Sequence, residues 1–319
     1  MQYDKVLPMV SIVVIVRNNK EEIQRCLESL MFLDYPKDKF EIIVVDGGST
    51  DGTFEICQKF AVKTIVEKKK GRGLARNVGI KSARGEIMAF VDSDCEVFPS
   101  WLKIHVKDHS LNIIGGVGGA VISNQLDSMN KLGRIVHNED FAEFTENTKR
   151  GYKYYIPTCN ASFKMHVLSK VGFFDEELDA YEDFVISKKI QDQGFKILFD
   201  PAPKVLHYNV AYEQESKKAL IAYMEREKQL GKTHFLAQVS ERSITGRLPM
   251  QPLAIIFLTP SVVLARILRQ LAKIIESKNS AKLTLKCIPH IVLGGILWGF
   301  SYGGKAFSYS LKKGKIRSI

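Results

Sequence analysis

Residues 86–94 read EIMAFVDSD. Ile87–Val91 is an unbroken apolar run of strand length, preceded by Arg84-Gly85 and followed by two carboxylates two positions apart. A run with no polar alternation fits a strand covered on both faces, as in a parallel sheet. The same reading holds for VSIVVIV at Val10–Val16 and for EIIVV at Glu41–Val45, and Val62–Val66 reads as a further strand. Helical segments separate them. Lys20–Phe32 carries Ile23, Leu27, Leu30 and Met31 on one side, a second helix runs to Phe60, and Leu74–Ala83 is stopped by Arg84-Gly85. Strands alternating with helices imply βαβ units and a parallel sheet. In such sheets ligands bind beyond the carboxyl ends of the strands. Asp46, Asp92 and Asp94 all fall at such ends, which predicts three carboxylates on one rim.

Beyond Trp101 the pattern is less regular. The glycines at 115–119 lead into an expected strand at Ala120–Ile122, and residues 124–153 are too polar to assign. Cys159–Lys164 leads to a turn at Gly172–Asp175. A helix follows at Glu182–Gln193, with Gly194 as a natural C-terminal stop. Phe195–Phe199 reads as a short strand closed by Pro201 and Pro203, and Val205–Tyr208 carries His207.

The chain has 319 residues and a net charge of +11. Residues 241–319 hold 13 Lys/Arg against 2 Asp/Glu, so the whole excess sits in the last quarter. The body is balanced, which argues against nucleic acid as a partner and points the tail at an anionic surface. Cys26, Cys57, Cys95, Cys159 and Cys287 form no C-x-x-C pair, and Met9–Val16 is too short for a signal h-region. Free thiols in a reducing compartment are expected.

Two stretches of 18 residues, Leu248–Ala265 and Cys287–Gly304, carry no charge. That is the lower edge of a membrane-spanning length. However, the stretch joining them holds Arg266, Arg269, Lys273, Lys278, Lys282 and Lys286 against Glu276 alone, and Pro249, Pro252 and Pro260 interrupt the first. Short external loops are poor in Lys and Arg. A basic amphipathic helix lying in the interface fits better, with Val263, Leu264, Ile267, Leu268, Leu271, Ile274 and Ile275 on one face and Arg266, Arg269 and Lys273 on another. The second stretch, with Gly294, Gly295, Gly299, Gly303 and Gly304, would dip into the bilayer or pack against the first. Leu311–Arg317 would stay on the cytoplasmic side.

Asp92-Ser93-Asp94 can bring two carboxylates into one small volume at a buried strand's end. Hard cations such as Mg²⁺ or Mn²⁺ take oxygen ligands and need only one or two protein carboxylates beside phosphates. Such a cation offsets the charge that develops on a diphosphate leaving group. A D-x-D also occurs in plain surface turns, so its placement after a buried strand carries the reading. Asp46 can accept from a nucleobase or ribose, or it can serve an Asx turn among Ser49, Thr50 and Asp51, Asp51 itself being a capping residue.

Taken together, Val10–Asn18, VVDGGSTDGT (44–53), GRGLARNVGIKSARGEIMAFVDSD (71–94) and GFFDEELDAYEDFVISKKIQDQGFKILFDPAPKVLHY (172–208) resemble a family 2 glycosyltransferase of the GT-A fold, of the membrane-associated bacterial type. The resemblance covers roughly residues 8–210 and implies a Rossmann-like, mostly parallel α/β sheet flanked by helices, with a membrane-associated helical tail. Residues 1–240 would be the catalytic domain, with a nucleotide-sugar half (1–100) and an acceptor half (101–240), and 241–319 the basic tail. By resemblance Asp46 contacts the donor nucleotide, Asp92 lies near the ribose or sugar and beside the metal, and Asp94 is the main metal ligand. Glu182-Asp183 matches the E-D motif, in which the second acid is the catalytic base. His207 matches a position that completes metal coordination, and Arg76 would face donor phosphates or sugar. The cofactors implied are Mn²⁺ or Mg²⁺ and a nucleotide-sugar donor, a UDP-sugar by default.

The departures are Gly47 where a second acid is frequent, Ile15 where a proline is frequent, and no Q-x-x-R-W after Asp183, which points to single additions. A carboxylate in the first turn of a helix is favoured in its ionised form by the dipole; such acids also commonly just decorate a helix start. For His207 a satisfied strand-end histidine is the plainer role, and for Arg76 a solvated helix face. The expected activity is inverting, metal-dependent transfer to a lipid-linked or nascent glycan at the cytoplasmic membrane face. The competitors are a sugar-phosphate nucleotidyltransferase, which should carry a basic glycine-rich loop where Arg17-Asn18-Asn19-Lys20 lacks glycine, and a non-catalytic scaffold.

Overall fold

A computed structural model describes residues 7–123, 131–208, 217–245, 252–276 and 281–316. The chain divides into two compact units. The first is 1–124, 143–177 and 182–208; the second is 125–142, 178–181 and 209–319.

In chain order the first unit holds β1 (Val10–Val16), α1 (Lys20–Met31), β2 (Phe40–Asp46), α2 (Thr53–Cys57), β3 (Lys63–Val66), α3 (Arg72–Lys81), β4 (Ile87–Asp92), β5 (Cys95–Val97), α4 (Trp101–Asp108) and β6 (Ile114–Ile122). After α5 (Lys131–Phe141), which belongs to the second unit, come β7 (Gly151–Tyr152), β8 (Asn160–Lys164), α6 (Met165–Val171), α7 (Glu182–Asp192) and β9 (Lys196–His207). Three long helices complete the second unit: α8 (Lys217–Thr245), α9 (Pro252–Glu276) and α10 (Ala281–Ile316).

The sheet runs β3-β2-β1-β4-β8-β6-β9-β5, with β7 also on β9. The first four strands are parallel, as the apolar runs of β1, β2 and β4 and the alternation of strands with helices predict. The rest is not mostly parallel. β8 is antiparallel to β4 and β6, and β5 and β7 are antiparallel to β9, so the sheet is mixed. β1 shares its register with both neighbours, pairing Val16 with Asp46 and Ile15 with Asp92. That register sets the two acids on one rim.

Three readings of the second half are corrected. The glycines at 115–119 are not a lead-in but part of β6, buried between covering side chains. A Cβ at Gly116 would stand 2.8 Å from the Phe163 ring, and one at Gly118 2.4 Å from Ile156. Second, β9 is continuous through Pro201 and Pro203, because its register with β6 jumps from Gly118–Phe199 to Ala120–Lys204 and leaves the prolines in the irregularity. Third, β5 and α4 fall where no element is evident from the sequence, and α5 falls in the unassigned stretch.

Gly119 sits against that irregularity, where an added Cβ would lie 1.9 Å from the Pro203 carbonyl oxygen. Gly119→Ala is expected to lower stability by at least ~1–3 kcal/mol through overpacking. Gly151→Ala, with nothing within 4 Å, should stay within ~0.5 kcal/mol. Urea midpoints of the two variants test this contrast.

Beneath β8 runs a buried polar relay. The Trp101 indole N–H donates to Asn160 Oδ1 (2.8 Å), as does His105 Nε2 (3.0 Å). An amide oxygen only accepts, so His105 carries its proton on Nε2 and its Nδ1 accepts from the Ser162 hydroxyl at 2.9 Å. Ser162 Oγ then accepts from His109 Nε2, also at 2.9 Å. Burial holds His105 down at about 4 and His109 at about 3.

In the second unit α9 turns Val263, Arg266, Ile267, Gln270 and Leu271 inward, and leaves Leu264 and Leu268 each 57% exposed. Arg266 therefore leaves the exposed basic face expected of it. It pairs with Glu139 (2.5 Å) and Glu227 (2.9 Å), while Arg226 reaches Glu139, Asp140 and Glu227. Those acids come from α5 and α8, far away in sequence, so no local periodicity could show them. Among the described residues, no helix is long and apolar enough to cross a membrane. Lys278 lies outside the described residues, as do the side chains of Lys273, Lys282, Lys286, Cys287 and the stretch 311–317.

Candidate active site

The loop after β2 closes on itself before it offers anything outward. Gly48 and Gly52 take positive φ, +76° and +94°, which permits the tight path. Asp46 is buried, and its carboxylate accepts the Ser49 N–H (3.1 Å) and hydroxyl. Asp51 accepts from the Thr53 N–H and hydroxyl and from the Lys20 N–H, which is the capping role expected of it. The Thr53 hydroxyl and its companions hold the Asp51 carboxyl below the usual range. Asn19 Nδ2 donates to Ser93 Oγ at 2.9 Å and so ties the start of α1 to the turn after β4.

α3 is docked through its own sequence. Asn77 donates to the Phe174 carbonyl (3.0 Å) and accepts the Phe174 N–H (3.1 Å). At Gly73 a Cβ would stand 2.1 Å from the Asp175 carbonyl oxygen, so only glycine allows this approach. The docking carries Arg76 inward to 2% exposure. Its guanidinium donates to Glu182 Oε1 (2.5 Å) and to Asp92 Oδ1 (3.2 Å). Arg76 is thus not on a solvated helix face; it links the end of β4 to the start of α7. Glu182 is correspondingly buried and engaged, which removes it as a freely acting acid or base.

Asp183 follows, half-buried, with one carboxylate oxygen accepting the Phe184 N–H at 2.8 Å. The helix start does not decide its charge. Burial and then the neighbouring Glu182 push its carboxyl up to about 7, against the weaker pull of the Phe184 N–H, Arg76 and Arg72.

Asp94 and His207 are brought together by strand register. Cys95 pairs with His207 across β5 and β9, and the Tyr208 N–H donates to the Asp94 carbonyl at 2.9 Å. His207 Nε2 lies 3.7 Å from Asp94 Oδ1. Burial raises the Asp94 carboxyl, His207 opposes that, and Asp92 adds to it. A carboxylate oxygen and an imidazole nitrogen this close form a donor pair that fits a divalent cation. Ligand atoms of Asp94, Cys95 and His207 all lie within 4.8 Å of one another.

The acids converge. The Cys159 thiol, raised by burial, also feels Asp92, Asp94 and Asp183. Arg72 was missed by sequence reasoning, although it stands in the same G-R-G-L-A-R-N stretch as Arg76. It opens α3 with its side chain exposed, and Glu182, Asp92, Asp94 and Asp183 strengthen its hold on its proton. An exposed guanidinium at a helix start can pair with a phosphate. Asp46 sits on the same rim, paired with Val16 at the end of β1. The described thiols, Cys26, Cys57, Cys95 and Cys159, are all free and buried.

The profile of Glycosyl transferase family 2 matches residues 11–172. The glycosyltransferase AglE of Haloferax volcanii is 32% identical over 199 residues, 60% of this chain and 64% of AglE. The putative glycosyltransferase EpsH of Bacillus subtilis is 32% identical over 150 residues, 46% of this chain and 42% of EpsH. The chain therefore spans less than two thirds of either relative. Among solved structures, the mannosyltransferase PcManGT of Pyrobaculum calidifontis, in complex with GDP-Man and Mn²⁺, superposes with a TM-score of 0.57 at 20% identity. The match covers 96% of this chain and 88% of that one. S. aureus TarS 1-349 with UDP-GlcNAc gives 0.52 at 16% identity, covering 95% and 92%. These two likenesses establish the fold.

Proposed function

The chain belongs to glycosyl transferase family 2, and on that premise we propose that it moves a sugar, with inversion, from a nucleoside diphosphate donor to an acceptor hydroxyl. The observation that carries this is the Asp94–His207 pair, 3.7 Å apart beyond β4, with Arg76 joining the neighbouring Asp92 to Glu182, the residue before Asp183.

Asp94 and His207, with Asp92 beside them, would hold Mn²⁺ or Mg²⁺. When bound, that cation takes up negative charge on the donor diphosphate. Arg72 pairs with the same phosphates, and Asp92 and Asp46 face the ribose and base. Asp183 accepts the proton of the acceptor hydroxyl as that oxygen attacks the anomeric carbon. One base attacking opposite the leaving group gives inversion. Arg76 and Glu182 touch neither substrate; they fix where Asp92 and Asp183 stand.

A UDP-sugar is the first donor to try, and GDP-sugars belong in the same panel. Asp94→Asn is expected to abolish Mn²⁺-dependent donor binding, read by calorimetry, together with nucleoside diphosphate release. Pyrophosphate release instead would indicate a nucleotidyltransferase.

The acceptor is a lipid-linked or nascent glycan, reached from the cytoplasmic membrane face. What supports this is the charge of residues 241–319 beside the exposed Leu264, Leu268, Ile296 and Phe300. Vesicles containing phosphatidylglycerol should carry the protein upward in a flotation gradient, and neutral vesicles should not. Equal behaviour on both would rule out the surface assignment.

A further inference from the structure

Cys95 has no part in the chemistry above, yet it stands inside the site. It is 1% exposed, and its register partner on β9 is His207. Its sulfur lies 3.8 Å from Asp94 Oδ1, and that same oxygen lies 3.7 Å from His207 Nε2. Cys159, like Cys95, is a free and buried thiol. Asp94, His207 and Cys95 offer oxygen, nitrogen and sulfur to one volume.

We propose that Cys95 gives this site a sulfur arm that Mg²⁺ and Mn²⁺ leave unused and that thiophilic divalent cations (Zn²⁺, Co²⁺, Cd²⁺) engage, displacing the hard cation. The inference rests on Asp94 and His207 being the cation pair. Hard cations prefer oxygen and keep several waters, whereas thiolates select zinc-class ions. Zinc binds sulfur at ≈ 2.3 Å and imidazole at ≈ 2.0–2.1 Å, which sets a tetrahedral S···N separation of roughly 3.6 Å. The ligand atoms, within 4.8 Å of one another, need close by only about 1 Å. On binding, the Cys95 S–H bond breaks, a sulfur–metal bond forms and the proton passes to solvent. No electron is transferred. The enzyme would then be held idle by trace zinc and released by a chelator.

The test uses the full chain stripped of metal. Cd²⁺ or Co²⁺ alone is titrated in, and the sulfur-to-metal charge-transfer band is followed in the ultraviolet. One equivalent should develop the band. Cys95→Ser and Asp94→Asn should each abolish it, with cadmium affinity falling roughly tenfold or more, while Cys57→Ser keeps it. Cys95→Ala serves as a second variant should the serine variant fail to fold, as judged by circular dichroism. A band that survives loss of the Cys95 thiol, or no band at all, overturns the sulfur arm. Mn²⁺ binding, read separately by electron paramagnetic resonance, should persist in Cys95→Ser and vanish in Asp94→Asn. If wild type binds no Mn²⁺, the cation reading of Asp94 and His207 fails instead.

Discussion

Asp183→Asn is expected to bind donor nearly as wild type does and to lose transfer by about 10²–10⁴-fold in kcat. The substitution keeps shape and removes only the ability to take a proton. Single-turnover release of nucleoside diphosphate, alongside calorimetric donor binding, separates the two effects; near-normal turnover would remove Asp183 from the base role. The same carboxyl sets an acid limb in wild type. Its value near 7 means that kcat/KM for the free enzyme should fall about tenfold per pH unit below neutrality. The stability effect has the opposite sense. Below about 4 both folded and unfolded chains carry the proton, and no penalty exists. Between about 4 and 7 only the folded chain retains it, so folding weakens as pH rises and levels off above 7. Asp183→Asn should therefore gain thermal stability over wild type across that window while losing activity.

Arg76→Met should cost about 3–5 kcal/mol, because it strands a buried acid rather than deleting a surface pair. Glu182 is 3% exposed, and Arg76 is its ion-pair partner. The loss also frees Asp92, so donor binding should weaken along with stability. Adding Glu182→Gln should recover part of the unfolding free energy, since it neutralises the stranded charge. A double-mutant cycle in urea measures that coupling. Strict additivity would mean that the two side chains do not act as a unit.

The N-terminal half was legible because three of its strands, β1, β2 and β4, are buried on both faces. An apolar run such as Val10–Val16 carries its own signature, and an acid that ends the run is placed by the same stroke. Convergence of Asp92, Asp94 and Asp183 could be anticipated only from the order of motifs; spacing alone says nothing about residues about ninety apart. The roles of Arg76 and Arg266 were illegible for one reason. Both are cations whose partners arrive from remote elements, so local periodicity assigned them to water. β6 and β9 were hidden by residues that normally break strands. Glycines there make room for Phe163 and Ile156, and the prolines occupy a break in pairing. Neither condition exists until the sheet has formed.

In the relay from Trp101 to His109 the Trp101, His105 and Ser162 hydrogens are each already shared, and burial keeps a further proton off both imidazoles. An unfolded chain takes up two protons there near pH 6.5, and the native one refuses them until about 4 and 3. Acidification therefore feeds the disordered state first. Mildly acidic elution buffers will weaken the protein from within its central sheet, where the two histidines together outweigh the opposing gain from Asp183.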